Sequence, residues 1–149
     1  MNFDDLPVIL LAEDSINDRD LALAALAESR LANKIVWLED GQRVLDYLFR
    51  EGEFENRPPV RHAVLLLDLK MPKVGGLEVL AKLKADARFR SLPVVMLTSS
   101  REERDVVRSY DLGVNAYVVK PVGFVEFVAA LKDVGAFWAV LNQVPGTGP

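Results

Sequence analysis

Four short motifs stand out because each sits at the end of an apolar run. Glu13 and Asp14 follow Val8–Ala12 (VILLA), and Asp68 follows Ala63–Leu67 (AVLLL). Thr98 ends Val94–Thr98 (VVMLT), and Lys120, itself followed by Pro121, comes after Ala116–Val119 (AYVV). Brought to one edge, these carboxylates, the hydroxyl and the ammonium would make a site with definite chemistry. Carboxylates so close together repel unless a cation lies among them. Oxygen donors without His or Cys suit a hard cation, and few protein ligands completed by water suit Mg²⁺. A cation beside one carboxylate lowers the cost of bringing up an anionic phosphoryl group. Lys120 would add a second positive charge, and the Thr98 hydroxyl could donate a hydrogen bond to a phosphoryl oxygen. The set fits phosphorylation of an aspartate side chain, with the carboxylate as nucleophile.

A fifth run, Ile35–Leu38 (IVWL), completes a series of short apolar segments separated by helix-length stretches. Several are apolar almost throughout, as strands are when both faces of a parallel sheet are covered. Between them, Ile16–Arg30 offers Leu23, Leu26 and Ala27 along one side, Gly41–Glu51 offers Val44, Leu45 and Leu48, and Gly75–Ala85 offers Leu77, Leu80 and Leu83. Glu102–Leu112 carries Val106, Val107 and Tyr110 and is expected to stop at Gly113. A last helix is expected to start near Gly123 and to run to Asn142. Strands alternating with helices predict right-handed βαβ units, and so a doubly wound α/β fold with a five-stranded parallel sheet. Functional groups of such sheets gather at the carboxyl ends of the strands, near the switch in strand order.

Composition narrows the remaining choices. The 149 residues are 50% hydrophobic and 27% charged, as expected of one globular domain. The net charge of −4 has the wrong sign for a nucleic-acid binder that neutralises phosphates. Without cysteine, thiol catalysis and Cys-type zinc sites are excluded, and the single histidine, His62, cannot build a multi-histidine site. No stretch approaches the roughly 18 apolar residues of a membrane span, and MNFDDLP is acidic where a signal peptide is basic. A cytoplasmic protein acting without membrane or nucleic acid is expected.

The set Glu13-Asp14, Asp68 in LLLDLKMP, Thr98 in LTSS and Lys120-Pro121 resembles the receiver domain of two-component response regulators, over residues from about 8 to 134. The resemblance implies a flavodoxin-like receiver fold in a single domain over 1–149. Its core would span about 8–134, with a helical arm at about 135–142 and a frayed tail at 143–149. It implies that Asp68 is the phosphoacceptor, and that Glu13 and Asp14 hold Mg²⁺ with the Asp68 carboxylate and the Lys70 backbone carbonyl. Thr98 and Lys120 would bind phosphoryl oxygens, and Tyr117 would be an aromatic switch turning inward when Thr98 engages them. The Lys120–Pro121 peptide would be cis. The partner implied is a sensor histidine kinase, with relay to a histidine phosphotransfer protein as one route of output. After the fifth strand only one helix and a short tail remain, so no separate output domain is expected.

A narrower likeness is to the single-domain receivers of bacterial phytochrome kinases. It rests on the long Gly52–His62 connection, DLKMPKVGGLEVL, SYDLGVNAYVVKPV and the late FWAVLN. Some of those receivers dimerise through an extended C-terminal helix, and Phe137, Trp138 and Asn142 fit that pattern. Spacing agrees: Phe124, Phe127, Leu131, Val134, Trp138 and Leu141 recur with the rhythm of a packing seam. A helix from Gly123 to Asn142 would extend about 30 Å, against about 17 Å for a strand. Phe137, Trp138 and Leu141 would then need a second chain to cover them, unless the helix breaks at Gly135 and folds back.

Plainer readings compete at single positions. Asp14 or Ser15 suits an N-cap, with Asp18 completing a capping box for Ser15. Trp37 reads as packing, and Gly75-Gly76 lacks the rest of a dinucleotide fingerprint. Two functional alternatives remain. One is a dimeric interaction module that is never phosphorylated. The other is a haloacid-dehalogenase-type phosphohydrolase, which would need an acid two positions after its aspartate, where this chain has Lys70.

Overall fold

Each apolar run is a strand: β1 (Val8–Ala12), β2 (Ile35–Leu38), β3 (Ala63–Asp68), β4 (Val94–Thr98) and β5 (Ala116–Val119). The structure is a computed structural model and describes residues 8–28, 33–58, 63–99, 108, 110–120, 123, 125, 126 and 129. The strands pair in parallel in the order β2-β1-β3-β4-β5, the doubly wound, flavodoxin-like arrangement, which switches direction between β1 and β3. Three helices are complete among the described residues: α1 (Ile16–Glu28), α2 (Gly41–Phe49) and α3 (Gly76–Ala85). The long connection after α2 opens with a short 3₁₀ turn, Gly52–Phe54.

Alternate residues of each strand enter opposite cores, as the pleat requires. Leu10, Leu65, Leu67, Val94 and Met96 pack on one side with Val44, Leu45 and Leu48 of α2 and Val79, Leu80 and Leu83 of α3. Ile9, Leu11, Val64, Leu66, Val95 and Leu97 pack on the other with Ala22 and Leu26 of α1. Both faces of the inner strands β1, β3 and β4 are therefore dry, which is why their sequences are almost continuously apolar, while the outer strands β2 and β5 keep half-buried residues. The α1 stripe differs from the one its sequence suggests. Ala22, Ala25 and Leu26 are buried, Leu23 is half-buried and Ala27 is exposed. Alanines on the sheet side give this helix a small contact face, so its leucines mark the stripe poorly.

Local chemistry sets the element ends. Asp40 caps α2 by accepting the Arg43 N–H at 2.8 Å, and Arg50 ends the helix in the left-handed region, one residue short of the predicted Glu51. Gly113, at φ 90°, closes the helical turn of Tyr110 and Asp111 where the sequence predicts a stop. Most of the helix expected over Glu102–Leu112 lies outside the described residues. So do His62, Pro121 with its peptide geometry, and Phe137, Trp138, Leu141 and Asn142 of the arm. Among the described residues, no helix is long and apolar enough to cross a membrane.

Two close approaches fix the loop after β3. A Cβ on Gly76 would fall 2.2 Å from the Asp68 carbonyl oxygen, so only glycine lets α3 start against the end of β3. A Cβ on Gly41 would fall 1.9 Å from the Val74 carbonyl oxygen, where the start of α2 abuts the same loop. Lys73 sits there in the left-handed region, its Nζ 3.4 Å from Asp40 Oδ2. In Gly41→Ala, helix propensity gains at most about 1 kcal/mol, while relieving a backbone clash costs about 1–3 kcal/mol. The clash wins. Urea denaturation of Gly41→Ala should show a net loss of about 1–2 kcal/mol, and unchanged or raised stability would contradict the contact.

Candidate functional site

Register brings the motif residues together. Ala12 of β1 pairs with Leu67 of β3, so Glu13 is level with Asp68, the last residue of β3. Asp68 pairs with Leu97, and Thr98 pairs with Val119, so Lys120 projects one step beyond β5, its N–H donating to the Thr98 carbonyl oxygen at 2.8 Å. The sequence places its chemistry at strand ends, and parallel pairing makes those ends one edge.

At that edge Glu13, Asp68 and Thr98 are buried, and Asp14 is exposed. One carboxylate oxygen from each of Glu13, Asp14 and Asp68 lies within 4.8 Å of the others. Lys120 Nζ reaches Glu13 Oε1 at 2.6 Å, Asp68 Oδ1 at 3.1 Å and Asp18 Oδ2 at 3.1 Å. Four carboxylates thus share this edge with one ammonium, which three of them contact, a crowding that favours a cation. The all-oxygen donor set of Glu13, Asp14 and Asp68 fits a hard divalent one. Lys70, whose carbonyl is the expected further donor, is exposed immediately after Leu69.

Burial, and then the charge of Glu13, push the Asp68 carboxyl up to about 7, against the opposing pull of Lys120. Lys120 titrates above the usual lysine range. Burial works against this, but hydrogen bonding and charge from Glu13, Asp68 and Asp18 prevail. The lysine stays cationic, and the aspartate is the group that hesitates between acid and anion.

The turn from β1 into α1 departs from the sequence reading. Ser15 is the cap, its Oγ accepting the Asp18 N–H at 3.2 Å, but the Asp18 carboxylate does not close a capping box. It turns to Lys120, because a charged ammonium is a stronger donor than a neutral peptide N–H. Glu13 takes the vacated role, its Oε2 accepting the Ser15 N–H at 3.2 Å. Trp37 does more than pack: its indole N–H donates to the Glu13 carbonyl oxygen at 2.8 Å, and the Arg19 guanidinium lies 4.4 Å over its ring. Sequence reasoning missed both Asp18 and Trp37. Tyr117, half-buried against the core of α2 and α3, meets the exposed Tyr110 edge-to-face at 5.6 Å.

The Asp68 shift has a definite sign in stability. The unfolded chain releases this proton near 3.8 and the folded chain near 7. The folded form therefore holds a proton that the unfolded form has lost, and the associated stability disappears as pH rises through about 7. Between pH 5 and pH 8 in chelator, this group should cost the protein on the order of 2 kcal/mol. Urea titrations of wild type and Asp68→Asn at both pH values check it. The decline should shrink in the variant, and equal declines would contradict the assignment.

Residues 9–132 match the family described as the response regulator receiver domain. The solved bacteriophytochrome response regulator RtBRR is 58% identical, with a TM-score of 0.85, covering 95% of this chain and 85% of that one. The bacteriophytochrome response regulator AtBRR is 56% identical, with a TM-score of 0.84, over 93% of this chain and 99% of its own. Response regulator Rcp1 of Synechocystis sp. is 39% identical over 138 residues, covering 93% of this chain and 92% of the relative. A crystal structure of the Mn(2+)-bound form of response regulator Rcp1 has a TM-score of 0.73 at 36% identity, over 96% of this chain and 99% of its own. With its sheet order, its acidic edge and a family match over most of its length, the chain belongs to the response regulator receiver domains and is similar to bacteriophytochrome response regulators.

Proposed function

We propose that this response regulator takes a phosphoryl group onto Asp68 from the phosphohistidine of a sensor histidine kinase, one of phytochrome type, in an Mg²⁺-dependent reaction in the cytoplasm. The observation that carries the reading is the Lys120 ammonium, bonded to Asp68 and Glu13 inside a cluster of carboxylates that needs more positive charge. The similarity to bacteriophytochrome response regulators supports the choice of kinase, and the Mn(2+)-bound Rcp1 supports a divalent ion.

In this reading an Asp68 carboxylate oxygen attacks phosphorus. The new O–P bond forms as the P–N bond to the kinase histidine breaks, the electron pair returning to the imidazole nitrogen. Glu13, Asp14, Asp68 and the Lys70 carbonyl would hold Mg²⁺, which when bound offsets the charge of these carboxylates and of the incoming phosphoryl oxygens. Lys120 binds a phosphoryl oxygen as a point charge, and Thr98 donates its hydroxyl to another. Tyr117 turns inward as Thr98 is engaged. The output is protein contact, or relay to a histidine phosphotransfer protein, from a homodimer joined through Phe137, Trp138, Leu141 and Asn142.

Acetyl phosphate with Mg²⁺ should label the wild type, and Asp68→Asn should abolish the labelling. A labelled Asp68→Asn protein would refute the assignment. For the arm, Trp138→Ala should weaken self-association by about 2 kcal/mol or more, as loss of a central aromatic anchor does. Sedimentation equilibrium measures this, and an unchanged dimer constant would remove Trp138 from the interface.

A further inference from the structure

An ammonium carries three protons, and each can serve one acceptor. Lys120 Nζ has three carboxylates around it, Glu13 at 2.6 Å, Asp68 at 3.1 Å and Asp18 at 3.1 Å, so its donors are fully used. Engaging a phosphoryl oxygen therefore requires that one of these contacts be given up. The three are not equal. Glu13 is buried and holds the Ser15 N–H as well, and Asp68 is the acceptor itself. Asp18 lies in the first turn of α1, outside the three-carboxylate cluster, with its side chain 36% exposed. Water replaces Lys120 there at the least cost, because a carboxylate already at the rim is only partly desolvated.

We infer that Asp18 is a positioning residue, a releasable anchor that holds Lys120 in the resting pocket and competes with the phosphoryl group for its ammonium. The inference rests on the phosphoacceptor reading of Asp68. Two effects of Asp18 act in one direction: it draws the ammonium toward α1, and its charge opposes an incoming anion. Removing the charge while keeping the shape should strengthen binding of a phosphoryl mimic. A residue that merely supported the fold would weaken it.

The test is titration of beryllofluoride, a phosphoryl mimic, at saturating Mg²⁺, followed by NMR shifts on the full chain. Asp18→Asn should bind it about three- to tenfold tighter than wild type. Asp20→Asn is the charge control: it removes the same charge from the same helix, but Asp20 pairs with Arg19 and is not among the groups around Lys120. It should stay within about twofold of wild type. Unchanged or weaker binding by Asp18→Asn, or an equal gain in Asp20→Asn, overturns the role of Asp18 while leaving the phosphoacceptor reading intact. Wild type that binds no beryllofluoride overturns that reading, and this inference with it.

Discussion

The structure is organised around an electrostatic debt at the end of a parallel sheet. Glu13 and Asp68 are held in register on neighbouring strands and are both buried, so neither can retreat into water. Lys120 answers part of that charge, and the raised Asp68 carboxyl is the physical trace of its burial first and of the Glu13 charge second. A fold seeking only stability would place apolar residues of similar size at positions 13, 68 and 120 together, since replacing a buried ionic set whole is often neutral or stabilising. With those charges in place, the edge is one that favours a hard cation.

Rigidity around this edge comes from several directions at once. The two apolar cores clamp β1, β3 and β4 from both faces, so the strand ends cannot slide. Glycines 41 and 76 let α2 and α3 come against the backbone that follows Asp68, at distances no side chain would permit. On the opposite flank, Ser15 and Glu13 share the capping of α1, so a residue of the acidic cluster is also part of the helix terminus. The turn that delivers Glu13 and Asp14 is thereby fixed by bonds from two sides.

Much of this was legible in the sequence, for identifiable reasons. Val8–Ala12, Ile35–Leu38, Val94–Thr98 and Ala116–Val119 are strands with the boundaries their apolar runs suggest, because strands covered on both faces leave no polar residue to blur an edge. The charged and hydroxyl groups of the site begin where those runs end, so fold and site were read from one pattern. Helix faces were harder. The buried stripe of α1 is built on Ala22 and Ala25, and alanine weighs little in a search for leucines. Asp18 and Trp37 were missed because their roles are set by partners 102 and 24 residues away, a separation that no local spacing rule spans.

The bond from the Trp37 indole to the Glu13 carbonyl oxygen has an optical consequence. The ring shares a peptide with two of the clustered carboxylates and lies under a guanidinium, so its excited state feels the local field of that turn. The chain has only one other tryptophan, at position 138, far along the sequence. Changing that residue to phenylalanine leaves a single tryptophan, bonded to the β1–α1 turn and excited selectively at wavelengths the three tyrosines do not absorb, a native dye that needs no label to follow what happens there.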